Sequence, residues 1–180
     1  MADHFAALNL PRRASLNGVV LQTAYHEACR QAGESVESLN EAYEVLRSPV
    51  KRLKHLLECH QQDQWQAVVM SDDLMDLFSR LGPVLQGAQD FSKRSAASRT
   101  ALSRALLAPE AMRWQEASSA LAEELQSLLD TREEGLTELD NAIAANEEDV
   151  WSRVHQAQAH LAYLTKWQAQ LREALLLLIQ

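Results

Sequence analysis

Between Val150 and Leu175 one apolar stripe, Val150, Val154, Ala157, Leu161, Leu164, Leu171 and Leu175, recurs at intervals of three, four and seven residues. That period belongs to one face of an α-helix, because a half-buried strand would repeat every second residue. Asn146 is expected to cap this helix, with Glu147, Glu148 and Asp149 in a first turn where acids meet the positive end of the helix dipole. The rest of the chain follows the same grammar. Only 5 Gly and 4 Pro punctuate 180 residues in which Ala, Leu, Gln and Glu dominate, so turn-rich β architectures are disfavoured and the expected fold class is all-α.

The formal charge of −8 argues against a general nucleic-acid binder or a ligand of anionic membranes, both of which need clustered Lys and Arg. The first residues lack the charged-then-apolar run of a signal peptide, and the longest apolar run, Ala174 to Ile179, is too short to cross a bilayer. Two cysteines, Cys29 and Cys59, cannot build a disulfide framework, so reduced thiols and a cytoplasmic location are expected.

A short first helix is expected from His4 to Leu8, stopping ahead of Pro11. A second begins near the N-cap Asn17, shows the stripe Leu21, Tyr25 and Ala28, and stops at Gly33. A third carries Leu39, Ala42, Tyr43 and Leu46. Ser48 is expected to cap a fourth with Pro49 at its first position, turning Leu53, Leu56 and Leu57 inward and leaving Lys51, Arg52 and Lys54 in water. Residues 61–66 read as a polar linker, and Ser71 with Asp72 and Asp73 opens a new helix. Gly82, Pro83 and Gly87 are expected to interrupt it; a Ser-rich basic stretch follows over 92–99, and Pro109 is expected to start a long helix running through Leu129. This helix and the last one, joined near Ala144, should form an antiparallel hairpin. The expected organisation is a first domain over 1–60, a linker over 61–70 and a helical bundle over 71–180.

The order of these elements, and the wording His4-Phe5 with Leu8-Asn9-Leu10-Pro11, Leu39-Asn40-Glu41-Ala42-Tyr43 to Leu46-Arg47-Ser48-Pro49, and Arg52 to Leu56-Leu57, resembles the J-domain of the HscB family. The resemblance continues through Asp72 to Phe78, Leu128-Leu129-Asp130-Thr131-Arg132 and Leu161-Ala162-Tyr163-Leu164-Thr165-Lys166. It implies an L-shaped, HscB-like chain with a J-domain-like helical hairpin domain followed by a three-helix bundle. In that family the first domain engages a DnaK-type chaperone, a His-Pro-Asp loop stimulates its ATPase, and the bundle holds the scaffold on which iron-sulfur clusters are assembled.

This chain departs from the pattern at the switch. Ala32-Gly33-Glu34-Ser35 stands where Tyr-His-Pro-Asp would be, no His-Pro-Asp occurs anywhere, and the second helix has only Arg30, beside His26 and Glu27, where a basic face is needed. For the scaffold-facing surface the resemblance implies Leu74, Met75, Phe78 and Tyr163 as apolar contacts. At helical spacing the first three are equally what a core stripe looks like, and Tyr163 carries the same ambiguity. Ser79 and Gly82 replace acids of the family and Ala162 an arginine, which alters the polar rim. The segment from Gly82 to Pro109 is longer than in the family.

The functional expectation is therefore a co-chaperone or adaptor that binds a protein client or an iron-sulfur scaffold without stimulating a DnaK-type ATPase. The alternative is a structural or regulatory interaction module unrelated to cluster assembly. No nucleophile triad, carboxylate pair or phosphate-binding glycine loop stands out, so neither enzymatic chemistry nor a cofactor is expected. His26 with Cys29, and His55 with Cys59, could each put two metal ligands on one helix face, but they lie on different helices whose facing the sequence leaves open, and no metal is assigned. Trp65, Trp114, Trp151 and Trp167 are expected to serve packing.

Overall fold

The computed structural model describes residues 2–32, 36–98 and 100–179. Among them regular structure is entirely helical: α1 (His4–Ala7), α2 (Gly18–Ala32), α3 (Glu37–Leu46), α4 (Pro49–Cys59), α5 (Asp72–Ala96), α6 (Ala101–Glu134), α7 (Leu136–Ala144) and α8 (Val150–Ile179). No described helix is long and apolar enough to cross a membrane. The chain forms two compact units, Met1–Val69 with Thr131–Ala162, and Met70–Asp130 with Tyr163–Gln180, whose boundaries fall inside α6 and α8. Sequence reasoning assigned everything after residue 70 to one bundle, whereas residues 131–162 group with the N-terminal unit.

Specific polar contacts explain that grouping. The N–H groups of Ala14 and Ser15 both donate to the Asp140 carboxylate of α7, at 2.6 and 3.0 Å. A carboxylate receiving two backbone donors fixes the loop between α1 and α2, which has no ladder of its own to satisfy them. The segment after α4 is held in the same way. Gln62 offers its carbonyl to the His155 ring, and the Val69 backbone is bonded by Gln156 and His160 of α8. The expected linker is thus tied to unit 1. Trp65 within it is 88% exposed, against the expectation that it serves packing.

In unit 1 the expected local signals are found. Asn17 accepts from the N–H groups of Val19 and Val20, Ser48 accepts from the N–H of Lys51, and Pro49 occupies the first turn of α4. Leu39, Ala42 and Leu46 of α3 are buried, as are Leu53, Leu56 and Leu57 of α4. Tyr25 of α2 packs on Tyr43 and donates to Asn40 Oδ1, closing the α2–α3 pair. Arg52 departs from expectation. Rather than staying wet it is 5% exposed, its guanidinium donating to the Ala14 and Leu46 carbonyls at 2.7 Å each, with Glu133 and Asp140 nearby. Burial lowers its pKa and the two carboxylates oppose that, so a charge in the core is matched by acceptors.

Asn146 also changes role. It lies at φ 51° two residues past the end of α7, with its N–H bonded to the Ile143 carbonyl and the N–H of Glu147 to that of Ala142. This is the Schellman pattern that ends a helix, so Asn146 closes α7 rather than opening α8, which begins four residues later at Val150.

Unit 2 is built from three long helical segments. α5 runs from Asp72 to Ala96 through Gly82, Pro83 and Gly87, the residues expected to interrupt it, and α6 starts at Ala101 with Pro109 inside it. Gly87 is explained by a close approach. A Cβ there would lie 2.1 Å from the Trp114 ring of α6, so only glycine lets the indole lie on the α5 backbone. Trp114, Leu85, Leu107 and Ala111 pack around a buried core of Ala88, Phe91, Ala174 and Leu178. Ser118 is fully buried in this unit, and its hydroxyl has no hydrogen-bond partner among the described residues.

Candidate functional site

The first turns of α5 carry more apolar residues than its core face can bury. Leu74, Leu77 and Leu81, at i, i+3 and i+7, are at most 2% exposed and make the inward face. Met75 and Phe78, one position further round, are 52% and 56% exposed. The stripe inferred from sequence is therefore two faces laid side by side. Leu74, one of the four residues implied as a partner contact, belongs to the core and presents nothing to solvent.

Tyr163 of α8 completes the outward face. Its ring centroid lies 5.9 Å from that of Trp167, and Phe78 lies 5.7 Å from the same indole on the α5 side. Trp167 is 4% exposed and acts as the floor under both rings, giving an exposed patch of Met75, Phe78 and Tyr163 on a buried aromatic base. Sequence reasoning placed Trp167 in packing but did not connect it with this patch; the signal available was its i+4 spacing from Tyr163.

Beside the patch, Arg80 forms a two-pronged ion pair with Glu124 of α6 and reaches Asp76 at 2.9 Å. The Glu124 hydrogen bonds raise the pKa of the arginine, and Arg80 in turn holds the Glu124 carboxyl below its usual value. The local charge is thus paired within the protein. Ser79 turns its hydroxyl back to the Asp76 carbonyl at 2.7 Å, and Gly82 faces open space. The patch consequently offers contiguous exposed apolar area, the profile of a protein-contact surface.

In unit 1 the first helix packs its Asp3 cap against the end of α4. Asp3 Oδ1 accepts from the N–H groups of Phe5 and Ala6, while Oδ2 pairs with Arg12. Burial alone would raise the Asp3 pKa, but Arg12 and the two N–H donors outweigh it and hold the carboxyl low. His55 is 3% exposed; its Nε2 accepts the N–H of His4 at 3.0 Å, and its Nδ1 faces Glu58 at 3.5 Å. Burial, with His4 adding to it, lowers the His55 pKa, and the His4 N–H at Nε2 assigns the proton of the neutral ring to Nδ1. Cys59, one turn further on, has its thiol pKa raised by burial and by Asp3. Among the described residues, Asp3, His55 and Cys59 make the one group of three potential ligands whose donor atoms lie within 4.8 Å of one another. His26 and Cys29 are not part of it, and Cys29 instead hydrogen-bonds Tyr25 and raises its pKa.

Of the loop Ala32-Gly33-Glu34-Ser35, Ala32 is the last residue of α2, and Gly33, Glu34 and Ser35 lie outside the described residues. The base on α2, Arg30, lies 3.9 Å from Glu27 of the same helix.

No known protein family matches the sequence, and no curated protein matches it. In three dimensions the chain is similar to the chaperone HscB from Vibrio cholerae, with a TM-score of 0.60 and 16% identity over 96% of each chain. At that identity the likeness carries the fold, an all-helical HscB-like arrangement over nearly the whole length.

Proposed function

We propose that this HscB-like chain is an adaptor that holds a protein partner of the iron-sulfur scaffold type on the Met75, Phe78 and Tyr163 patch of unit 2, and that it does so without driving a DnaK-type ATPase. The observation that carries the reading is the exposed patch itself, in a fold similar to that of a chaperone. Aromatic and methionine side chains are the residue types enriched at contact surfaces, and Trp167 beneath them makes the surface firm. The withdrawal of chaperone stimulation is supported by the sequence, which has no His-Pro-Asp and leaves α2 with a single arginine already facing Glu27.

The test is capture of partners from native cells by the wild-type chain and by the Phe78→Ala, Tyr163→Ala double variant, read by mass spectrometry. A scaffold and a cysteine desulfurase are expected with the wild type. The double variant is expected to bind at least about 30-fold more weakly, about 2 kcal/mol, with unchanged helicity. Loss of cooperative unfolding in the variant would make the two rings core instead. Capture of unrelated proteins through the same two rings would favour the structural or regulatory module. A rise in a cognate DnaK-type ATPase rate on adding the chain would remove the second half of the reading.

A further inference from the structure

We propose that Asp3, His55 and Cys59 form a three-ligand site for a borderline-soft divalent cation of the zinc class, with the fourth position open to water. The distances among the donor atoms are the first ground. His55 Nε2 to Cys59 Sγ is 3.4 Å, His55 Nε2 to Asp3 Oδ1 is 3.8 Å, and Cys59 Sγ to Asp3 Oδ1 is 3.9 Å. A tetrahedral zinc ion with the usual bond lengths to nitrogen, sulfur and oxygen separates its ligand atoms by about 3.4–3.6 Å. The three edges are therefore within a few tenths of an ångström of a coordination triangle. Imidazole, thiolate and carboxylate are also the three donor types this class of ion takes, whereas magnesium and calcium prefer all-oxygen sites.

The second ground is orientation. His55 and Cys59 are one turn apart on α4, so one helix face delivers both, and Glu58 on the Nδ1 side of His55 supplies the carboxylate that orients metal-binding imidazoles. Nε2, the ring nitrogen that accepts the His4 N–H, is also the one that lies near Asp3 and Cys59. Asp3 comes from the other end of the sequence stretch and is fixed by its capping role, so the site forms only in the folded unit.

Two contacts compete with the ion. The His4 N–H occupies Nε2, and Arg12 with the α1 N–H groups occupies the Asp3 carboxylate. Binding takes the Nε2 lone pair from His4 and displaces the first turn of a four-residue helix, while Arg12, which is half exposed, can turn to solvent. Cys59 enters as thiolate, so each ion bound releases one thiol proton to solvent. Asp3, Arg12, His55 and Glu58 surround that thiol. A proton and the ion compete for the same sulfur, so affinity is expected to rise with pH.

Cobalt(II) added to the full-length chain is the direct probe, because a thiolate–cobalt bond absorbs in the near ultraviolet. One ion per chain is expected, with the band bleached by zinc, kept in Cys29→Ser, lost in Cys59→Ser and at least tenfold weaker in affinity in Asp3→Asn. Zinc is expected to raise the melting temperature of the wild type and leave that of Cys59→Ser unchanged. Should Cys59→Ser fail to fold, proton release decides on the wild type: one proton per cobalt supports the site and none overturns it. Absence of the band at tenfold excess of cobalt, or a band that follows Cys29, also overturns it.

Discussion

The two units are held by different physics. In unit 1, short helices and their connecting segments are fastened by directional contacts to backbone: Asp140 to two N–H groups, Arg52 to two carbonyls, and the His155, Gln156 and His160 side chains to the segment after α4. In unit 2, long helices satisfy their own backbones and meet through apolar interdigitation, with Trp114 on Gly87 and the cluster around Phe91, while their polar ties, such as Arg80 to Glu124, join side chain to side chain at the surface. The contrast follows from element length. A four-residue helix and an irregular loop leave many backbone groups unpaired, and side chains must take them up. Long helices have no such need, and unit 2 can leave Met75, Phe78 and Tyr163 exposed without loosening its frame.

The sharpest way to break this contrast is Arg52→Met, which keeps the packed stem but removes both donors from the Ala14 and Leu46 carbonyls. It is expected to cost about 3–5 kcal/mol, read by denaturant unfolding, with the earliest loss of hydrogen-exchange protection in α3, α4 and α7 and little change in α5. Equal loss in both units would mean that the polar ties do not distinguish them. Next in size is Gly87→Ala in unit 2. The methyl group collides with the Trp114 ring, and after allowing for the better helix propensity of alanine the net cost is expected to be about 1–2 kcal/mol, confined to α5 and α6. A gain in stability there would show that Trp114 can swing clear and that the close approach is incidental. Smallest is Ser118→Ala. Removing an unpartnered hydroxyl from an apolar interior is expected to leave stability unchanged or raise it by about 1 kcal/mol, whereas a comparable loss would reveal a buried polar tie to backbone inside unit 2, of the kind that holds unit 1.

Much of the helical frame was legible because its signals are local. Caps at Asn17 and Ser48, Pro49 at a first turn and the leucine stripes of α3 and α4 depend on neighbours within a few residues. What was not legible depends on residues far apart. Arg52 stands in a run with Lys51 and Lys54 that reads as a wet face, and nothing near it announces the Ala14 carbonyl 38 residues away. Gly87 reads as an interruption until Trp114 is placed on it. Asn146 is a good cap residue at either end of a helix, and only its positive φ shows which end it serves. The patch was half legible: the family resemblance pointed to α5 and α8 as its carriers, but residues at helical spacing do not say by themselves that Leu74 turns in while Met75 and Phe78 turn out. The ligand triangle was legible only as the His55 and Cys59 pair, because Asp3 reaches it through the fold.

The Trp167 floor has a consequence for how the patch meets whatever covers it. Phe78 and Tyr163 each rest against the indole, so their ring rotations are restricted before any encounter. Only Met75, a flexible thioether at the edge, has much rotational freedom to lose on contact. The entropic penalty of ordering this surface is therefore small, and differences in partner contour fall on one adaptable side chain while the two rings hold their places.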